Sequence, residues 1–174
     1  AAVQTMLDPA DCGPACIALS QDIQGQTFDY PEEFFKERVH AIRRPRPDEF
    51  QIREAAEKIK LSKNPIIISG GGVFYSDAME ELSQFAIKHN IPVTQTVMGY
   101  STMKRDHSHF AGQIGGLGGK NTNTLAKETD LAIAVGTKLA DFTTGSWANF
   151  ENKDFKLVSI NVSRFDANKH LAQA

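Results

Sequence analysis

Short apolar runs alternate with amphipathic segments along most of this chain, from residue 48 to its end. Four runs have the length of buried strands, and they lie at residues 65–68, 91–94, 131–135 and 157–160. Between them, apolar residues recur at helical spacing: Ile52, Ala55, Ala56 and Ile59 after the capping residue Asp48, then Ala78, Leu82, Phe85 and Ala86 before Asn90. This alternation predicts a three-layer α/β/α fold with a doubly wound, Rossmann-like parallel sheet of about six strands.

The first apolar run leads directly into a glycine-rich turn. Residues 70–72 are all glycine, and we expect Ser76 and Asp77 to open the helix that follows. A second glycine-rich turn at residues 114–119 precedes a predicted helix around Leu125. Ligands of open parallel sheets bind in the crevice beyond the carboxyl ends of the strands. These two turns are therefore the first places to expect a binding site.

The first 47 residues lack this regularity. Residues 15–19 form a short apolar run that predicts a single strand with no neighbour to pair with. We therefore interpret residues 1–19 as the remnant of a preceding domain and residues 20–47 as an interdomain linker. The linker contains a stiff basic segment from Arg43 to Pro47, which we expect to be solvated rather than bound to nucleic acid.

The bulk composition excludes some classes of partner. With 174 residues and a formal net charge of −2, the chain has no electrostatic footprint for nucleic acid or an anionic membrane. Its apolar runs are far shorter than a bilayer span, and the first residues lack the pattern of a signal peptide. We expect a cytoplasmic protein in which Cys12 and Cys16 are free thiols.

Dinucleotide binding is the first function that a strand, a glycine turn and a helix suggest. Gly70 and Gly72 supply the first two glycines, but Tyr75 occupies the position of the third. Residues 94–96, all polar and uncharged, replace the acidic residue that would hold a ribose hydroxyl. The pair Gly119 and Lys120 does not complete a phosphate-binding P-loop either, so nicotinamide and NTP chemistry are not expected.

Catalytic and metal-binding groups are scarce. His107 and His109 lack further ligands at a useful spacing, and we interpret them as loop residues; no catalytic residue and no metal ligand is predicted. The hydroxyl-rich loop at residues 136–147 has the composition of a binding loop, and the candidate substrate-side residues are Thr143, Thr144 and Ser146. An equally good interpretation is that these hydroxyls cap a short helix while Phe142 and Trp147 pack.

Several motifs occur together in one order and spacing. They are RPRP at 44–47, NPIIISGGGV at 64–73, NIPV at 90–93, DH at 106–107, GQIG at 112–115, DLAIAVGTK at 130–138 and TG at 144–145. In these motifs the chain resembles the central domain of thiamine-diphosphate-dependent enzymes of the acetolactate synthase type, a DHS-like NAD/FAD-binding domain fold. GPACIAL at 13–19 is similar to the end of that family's first, pyrimidine-binding domain. The resemblance implies a domain remnant at 1–19, a linker at 20–47 and the central domain at 48–174.

Two further segments, FDYPEEFF at 28–35 and DFTTGSWANF at 141–150, most resemble the branch of this family that hydrolyses a carbon–carbon bond of a cyclic dione in myo-inositol degradation. The alternatives are an acetolactate synthase-like enzyme, a malonic semialdehyde decarboxylase, or an independent adenine-nucleotide-binding module. The resemblance implies thiamine diphosphate and magnesium held by flanking domains of the same chain, and a homo-oligomer, either dimer or tetramer. This segment alone is then an inactive scaffold.

Some members of the family bind FAD in the central domain, but this chain departs from their pattern. Lys138 stands in place of an arginine, and Ala140 in place of an acid. Lysine lacks the planar fork of arginine, so FAD is not expected. What remains is a candidate vestigial nucleotide site, consisting of Gly70, Gly71, Gly72, Val73, Gly115 and Lys138.

Overall fold

The computed structural model describes residues 1–42 and 44–174, so Arg43 of the predicted basic segment lies outside the described residues. The described chain forms two compact units, Ala1–Pro45 and Arg46–Ala174. None of the helices in the described part is long and apolar enough to cross a membrane.

The first unit contains short helices without a core. They are α1 (Ala2–Met6), α2 (Gln21–Gln24) and a 3-10 helix (Glu32–Phe35), and none of the three contains a buried residue. The strand predicted at residues 15–19 is wrong: this segment is irregular, and Ile17 and Leu19 are exposed. An apolar run forms a strand only where another strand can satisfy its backbone groups, and no strand does so within residues 1–42 and 44–174.

The second unit is built on an all-parallel sheet with the strand order β3-β2-β1-β4-β5. Its strands are β1 (Pro65–Ser69), β2 (Val93–Gln95), β3 (Phe110–Gln113), β4 (Leu131–Val135) and β5 (Lys156–Ile160). The parallel α/β architecture is confirmed, but the sheet has five strands in the described chain instead of about six. Gln173 and Ala174 hydrogen-bond to the outer edge of β5 without forming a strand.

The helices are α3 (Glu49–Leu61), α4 (Gly71–Tyr75), α5 (Met79–His89), α6 (Lys120–Glu128), α7 (Asp141–Thr144) and α8 (Arg164–Asn168). The predicted cap is confirmed, because the Asp48 carboxylate accepts a hydrogen bond from the Gln51 N–H at 2.9 Å. Asn90 ends α5 in the left-handed conformation, as its position predicts. The predicted helix start at Ser76 is wrong, because α4 begins within the glycines and α5 begins at Met79.

The core lies on both faces of the sheet. Alternate residues of β1 point to opposite faces, since Ile67 belongs to one buried cluster while Ile66 and Ile68 belong to the other. Leu82 and Ala86 of α5 cover the first face. Ala126 of α6 covers the second, with Trp147 packed against the same cluster. Helices on both faces of one sheet make the three layers that the sequence predicts.

Candidate functional site

Four loops meet the carboxyl edge of the sheet, which is the expected place for a ligand site. They follow β1 at residues 70–72, β2 at 96–100, β3 at 114–119 and β4 at 136–147. Most of the residues singled out in the sequence lie on these loops. Their contacts decide what this edge can do.

The glycines after β1 hold that loop against the loop after β4. A Cβ atom on Gly72 would lie 2.6 Å from the Cα of Gly136, and one on Gly70 would lie 2.4 Å from the Gly136 carbonyl oxygen. The Gly72 N–H donates to the same carbonyl at 2.9 Å. Gly136 has a φ of +59°, a conformation that glycine adopts without strain. These glycines allow two backbones to touch, and the Gly72 N–H already has its partner.

Three backbone N–H groups of the second glycine loop already have hydrogen-bond partners, two of them outside the loop. The Gly115 N–H donates to Asn123 Oδ1 at 3.0 Å, and the Gly116 N–H donates to the Phe142 carbonyl at 2.8 Å. The Gly118 N–H donates back to the Gly115 carbonyl at 2.8 Å. A phosphate cradle needs backbone N–H groups that point outward without partners. Here the three N–H groups are used to fix the loop.

The polar residues after β2 are likewise used internally. Thr94 Oγ1 donates to the Ile67 carbonyl at 3.0 Å, and Thr96 Oγ1 accepts from the Gly99 N–H at 3.0 Å. Gln95 is buried, and its side-chain amide donates to the Met103 carbonyl at 2.9 Å. These residues occupy the place where a dinucleotide-binding sheet presents its ribose-binding acid. None of the three side chains is left to hold a ribose.

A buried hydroxyl network continues from Gln95 toward β1. Thr102 Oγ1 donates to the Gly99 carbonyl at 2.7 Å and accepts from Ser69 Oγ at 2.6 Å and from Gln95 Nε2 at 3.3 Å. Ser69, Gln95 and Thr102 are each at most 2% exposed. In such surroundings each polar atom needs a partner, so the network fixes the loop after β2 on the end of β1.

The six residues of the predicted vestigial site do not share one environment. Gly70 and Gly72 contact Gly136, whereas Gly115 packs against Phe142 and Thr143. Gly71 lies beside the Met98 carbonyl. Val73 is 2% exposed and belongs to the core, and Lys138 is exposed. The site therefore remains a prediction whose members are divided between loop contacts, core and solvent.

The predicted substrate-side loop forms the short helix α7 and the turn after it. Thr143 and Thr144 are buried, while Ser146 is exposed with a φ of +52°. Thr144 Oγ1 accepts from the Trp147 N–H at 3.3 Å, so this hydroxyl has a structural role. Trp147 packs on the core as one interpretation expects, but Phe142 is 66% exposed and does not.

The two histidines form a network within the loops near β2 and β3. His107 Nδ1 accepts from the His109 N–H at 3.1 Å, so its Nε2 carries the proton and donates to Ser83 Oγ at 2.9 Å. His109 Nε2 lies 3.1 Å from Asn90 Oδ1, and its Nδ1 lies 2.9 Å from Ser108 Oγ. Within the described residues, no group of three or more His, Cys, Asp or Glu is arranged to hold a metal.

Asp130 joins loops at the opposite, amino edge of the sheet. Its carboxylate accepts from Ser62 Oγ, from the Lys63 N–H at 2.7 Å and from the Asn64 N–H at 3.0 Å. Partial burial raises the pKa of Asp130, but these hydrogen bonds outweigh it and hold the pKa below its ordinary value. This carboxylate stabilises the entry into β1 and lies away from the candidate site.

Comparison with known proteins identifies the family. Residues 52–174 match the model of the thiamine pyrophosphate enzyme central domain. The chain belongs to this family. This confirms the resemblance seen in the sequence motifs and agrees with the parallel α/β fold.

Three relatives of this central domain are named as hydrolases of the same cyclic dione. The chain is 48% identical over 97% of its length to a 3D-(3,5/4)-trihydroxycyclohexane-1,2-dione hydrolase of Clostridium botulinum (strain Eklund 17B / Type B). It is 46% identical to a protein of that name from Clostridium perfringens (strain 13 / Type A), and 45% identical to a 3D-(3,5/4)-trihydroxycyclohexane-1,2-dione hydrolase 1 of Bacillus cereus (strain ZK / E33L), again over 97% of the chain. The chain spans about a quarter of these relatives, 26% of each.

The structure also shows features of the central domain that the sequence alone did not reveal. Gly99, after β2, lies directly against the backbone at the end of β1, since a Cβ atom on it would be 2.1 Å from the Ser69 carbonyl oxygen. Several large apolar side chains at the carboxyl edge are exposed, among them Phe74 of α4, Met98 and Phe142. The sequence signal for them is large apolar residues in the segments that follow strands, where turn-forming polar residues are usual.

Proposed function

We propose that the chain is the central scaffold of a thiamine-diphosphate-dependent hydrolase that cleaves a carbon–carbon bond of a trihydroxycyclohexane-dione in myo-inositol degradation. The observation that carries this proposal is the 48% identity over 97% of the chain to a relative with that activity in its name. The carboxyl-edge loops then form the rim of an active site that other domains complete.

In this proposal, thiamine diphosphate and magnesium are held outside the present chain. The described residues offer no acidic cluster for a metal–diphosphate pair, and the glycine N–H groups of the carboxyl edge are bonded to other loops. Thiamine diphosphate, where bound, supplies a carbon nucleophile for carbon–carbon bond cleavage. The residues of this chain contribute a rigid frame, which restricts where the neighbouring domains can lie.

We infer that the protein is cytoplasmic, assembles as a homo-oligomer (dimer or tetramer) and binds no FAD. The absence of FAD is supported by the contacts of Asn161, a neutral residue that follows the end of β5. Its side-chain amide donates to the Thr137 carbonyl at 2.9 Å, and its Oδ1 accepts from the Ser163 N–H at 3.0 Å. Titration of the purified full-length protein with FAD and with ADP tests this inference, and micromolar binding of either would contradict it.

A comparison of two proteins tests the proposed activity. The full-length protein, supplied with thiamine diphosphate and magnesium, is expected to hydrolyse 3D-(3,5/4)-trihydroxycyclohexane-1,2-dione, and the 174-residue chain is expected to be inactive in the same assay. Pyruvate and malonic semialdehyde serve as competing substrates. Turnover of either in preference to the dione would favour the acetolactate synthase-like or decarboxylase alternative.

The loop after β4 contains the group that we assign to the substrate side. Thr143 and Thr144 are buried, so the exposed Ser146 is the residue of this loop whose hydroxyl can face a bound dione. Ser146→Ala in the full-length enzyme is expected to raise KM about fivefold, the equivalent of one lost hydrogen bond of about 1 kcal/mol. Thr124→Ala, which removes an exposed hydroxyl on α6, is the control and is expected to leave KM unchanged.

A further inference from the structure

We infer that the carboxyl edge of this central domain is a docking face for the domain that follows Ala174 in the full-length protein. The face consists of six exposed apolar side chains on the carboxyl-edge loops and on helix α4, which begins in the first of them: Phe74, Val97, Met98, Tyr100, Leu117 and Phe142. We call this set the carboxyl-edge face. The inference rests on the proposed function, since it names the partner that completes the active site.

The carboxyl-edge face is apolar at a place where polar loops are usual. Met98 is 73% exposed and Phe142 is 66% exposed, although both lie on the segments that follow the buried strands β2 and β4. Exposed apolar groups that are concentrated on one edge mark an interaction surface, whereas single ones are ordinary. Aromatic residues and methionine are also the types enriched at protein interfaces. The composition therefore fits a protein surface as the occupant.

The side chains of this face stand on loops that cannot move freely. The loop that carries Met98 packs against the glycine turn, because a Cβ atom on Gly71 would lie 3.0 Å from the Met98 carbonyl oxygen. The Phe142 ring lies over the other glycine loop, 3.5 Å from where a Cβ atom of Gly116 would be. A pre-organised face of this kind loses little conformational freedom when it docks.

A nucleotide is the occupant that this edge fits poorly. The N–H groups of Gly72, Gly115 and Gly116 donate to Gly136, Asn123 and Phe142 respectively. The α4 helix has only five residues, which limits its dipole. A phosphate would have to displace existing hydrogen bonds, while an apolar protein surface needs none of these donors.

The position of Ala174 indicates which part of the protein reaches this face. The Gln173 N–H donates to the Leu157 carbonyl, and the Ser159 N–H donates to the Ala174 carbonyl, so the last residues run parallel to β5. They lead toward the carboxyl edge. The relatives are about four times as long as this chain, which spans 26% of them. A polypeptide that continues from Ala174 therefore leaves the sheet at the edge that carries the apolar face.

Thiol labelling in the full-length protein tests whether the face is covered. Met98→Cys places a thiol on the face, and Leu61→Cys places one at the amino edge with matched exposure, 73% against 76% in this chain. Peptide-resolved maleimide labelling is expected to be more than about tenfold slower at position 98, because a covered thiol reacts only through local opening. Equal labelling rates at the two positions would overturn the inference.

Photo-crosslinking identifies the occupant. Benzoylphenylalanine at position 98 of the full-length protein is expected to cross-link to residues beyond Ala174 of the same polypeptide. Isotope-labelled and unlabelled copies are mixed to separate contacts within one polypeptide from contacts between copies. Cross-links to a second copy, cross-links to residues before Ala174, or no cross-links at all would each overturn the inference.

The dione hydrolysis assay on the unsubstituted full-length protein, run beside the labelling experiment, separates the two proposals. If the enzyme hydrolyses the dione but position 98 labels freely, the docking face is wrong and the proposed function stands. If position 98 is protected and cross-links beyond Ala174 while dione is not consumed, the face is correct and the proposed substrate is wrong.

Discussion

Replacing Gly72 with alanine tests whether the glycine turn is a backbone contact. The new Cβ atom would lie 2.6 Å from the Gly136 Cα and 2.9 Å from its carbonyl oxygen. Carbon atoms pack best at about 3.5–4.0 Å, so the two backbones would have to separate by about 1 Å. This movement also weakens the 2.9 Å hydrogen bond from the Gly72 N–H to the Gly136 carbonyl.

The expected loss of stability follows from three contributions. Overpacking costs about 1–3 kcal/mol, and the weakened hydrogen bond costs up to about 1 kcal/mol. Alanine has fewer accessible backbone conformations than glycine in the unfolded chain. This lower unfolded-state entropy offsets about 0.4–1 kcal/mol of the loss. Gly72→Ala is therefore expected to lower the free energy of unfolding by about 2 kcal/mol.

Urea unfolding of the 174-residue chain measures this change. Trp147 is the single tryptophan and packs against the second core cluster, so its fluorescence can be followed together with far-UV circular dichroism. Gly116→Ala is the matched control, because its Cβ atom would meet only Phe142, the ring at 3.5 Å and the carbonyl oxygen at 3.8 Å, both ordinary contact distances. If Gly72→Ala unfolds within about 0.5 kcal/mol of that control, the close contact between the two loops is wrong.

Three further substitutions test other contacts by the same unfolding measurement. Asp130→Ala is expected to cost about 1–3 kcal/mol at neutral pH by freeing residues 62–64. Because hydrogen bonds lower the folded-state pKa of Asp130 beneath its ordinary 3.8, its contribution is present above that pH and disappears as the pH falls through the folded value; a pH-independent difference would contradict this. Thr102→Val removes the acceptor of the buried Ser69 hydroxyl and one of the two acceptors of the Gln95 amide, and it is expected to cost about 1–3 kcal/mol, whereas an unchanged midpoint would refute the network. Gly119→Ser, whose Cβ atom at the start of α6 would meet only Thr122 Oγ1 at 4.0 Å, is expected to add about 0.5 kcal/mol as a better N-cap, and a loss would show that the position is constrained.

The elements that the sequence predicts well are those whose signal is local. The run at residues 131–135 is apolar throughout and forms a strand buried on both faces, with only its last residue half-buried. Asp48 and Asn90 mark helix ends because each acts within its own turn. For these elements, the residues of the element itself are enough to predict its type or its end.

The elements that the sequence misses depend on distant partners. β3 has the sequence FAGQ and lies at the sheet edge with every residue half-buried, so no apolar run reveals it. Residues 15–19 have a strand-like composition, but the described part of the chain offers no strand beside them, and they stay irregular. Gly72 needs to be glycine because of Gly136, which lies far along the chain and could not be paired with it from the sequence.

The same contacts that rigidify the carboxyl edge also limit what it can bind. Each backbone N–H has one hydrogen to donate, and those of Gly72 and Gly116 are bonded to carbonyl groups of the loop after β4. Binding a phosphate at these groups would first break those bonds, at about 1 kcal/mol each, and separate loops that are in backbone contact. A rigid surface that docks another protein domain can keep these hydrogen bonds and loop contacts unchanged. The Rossmann-like shape of this edge therefore agrees better with a fixed docking frame than with a nucleotide site, which illustrates that a fold alone does not determine its ligand.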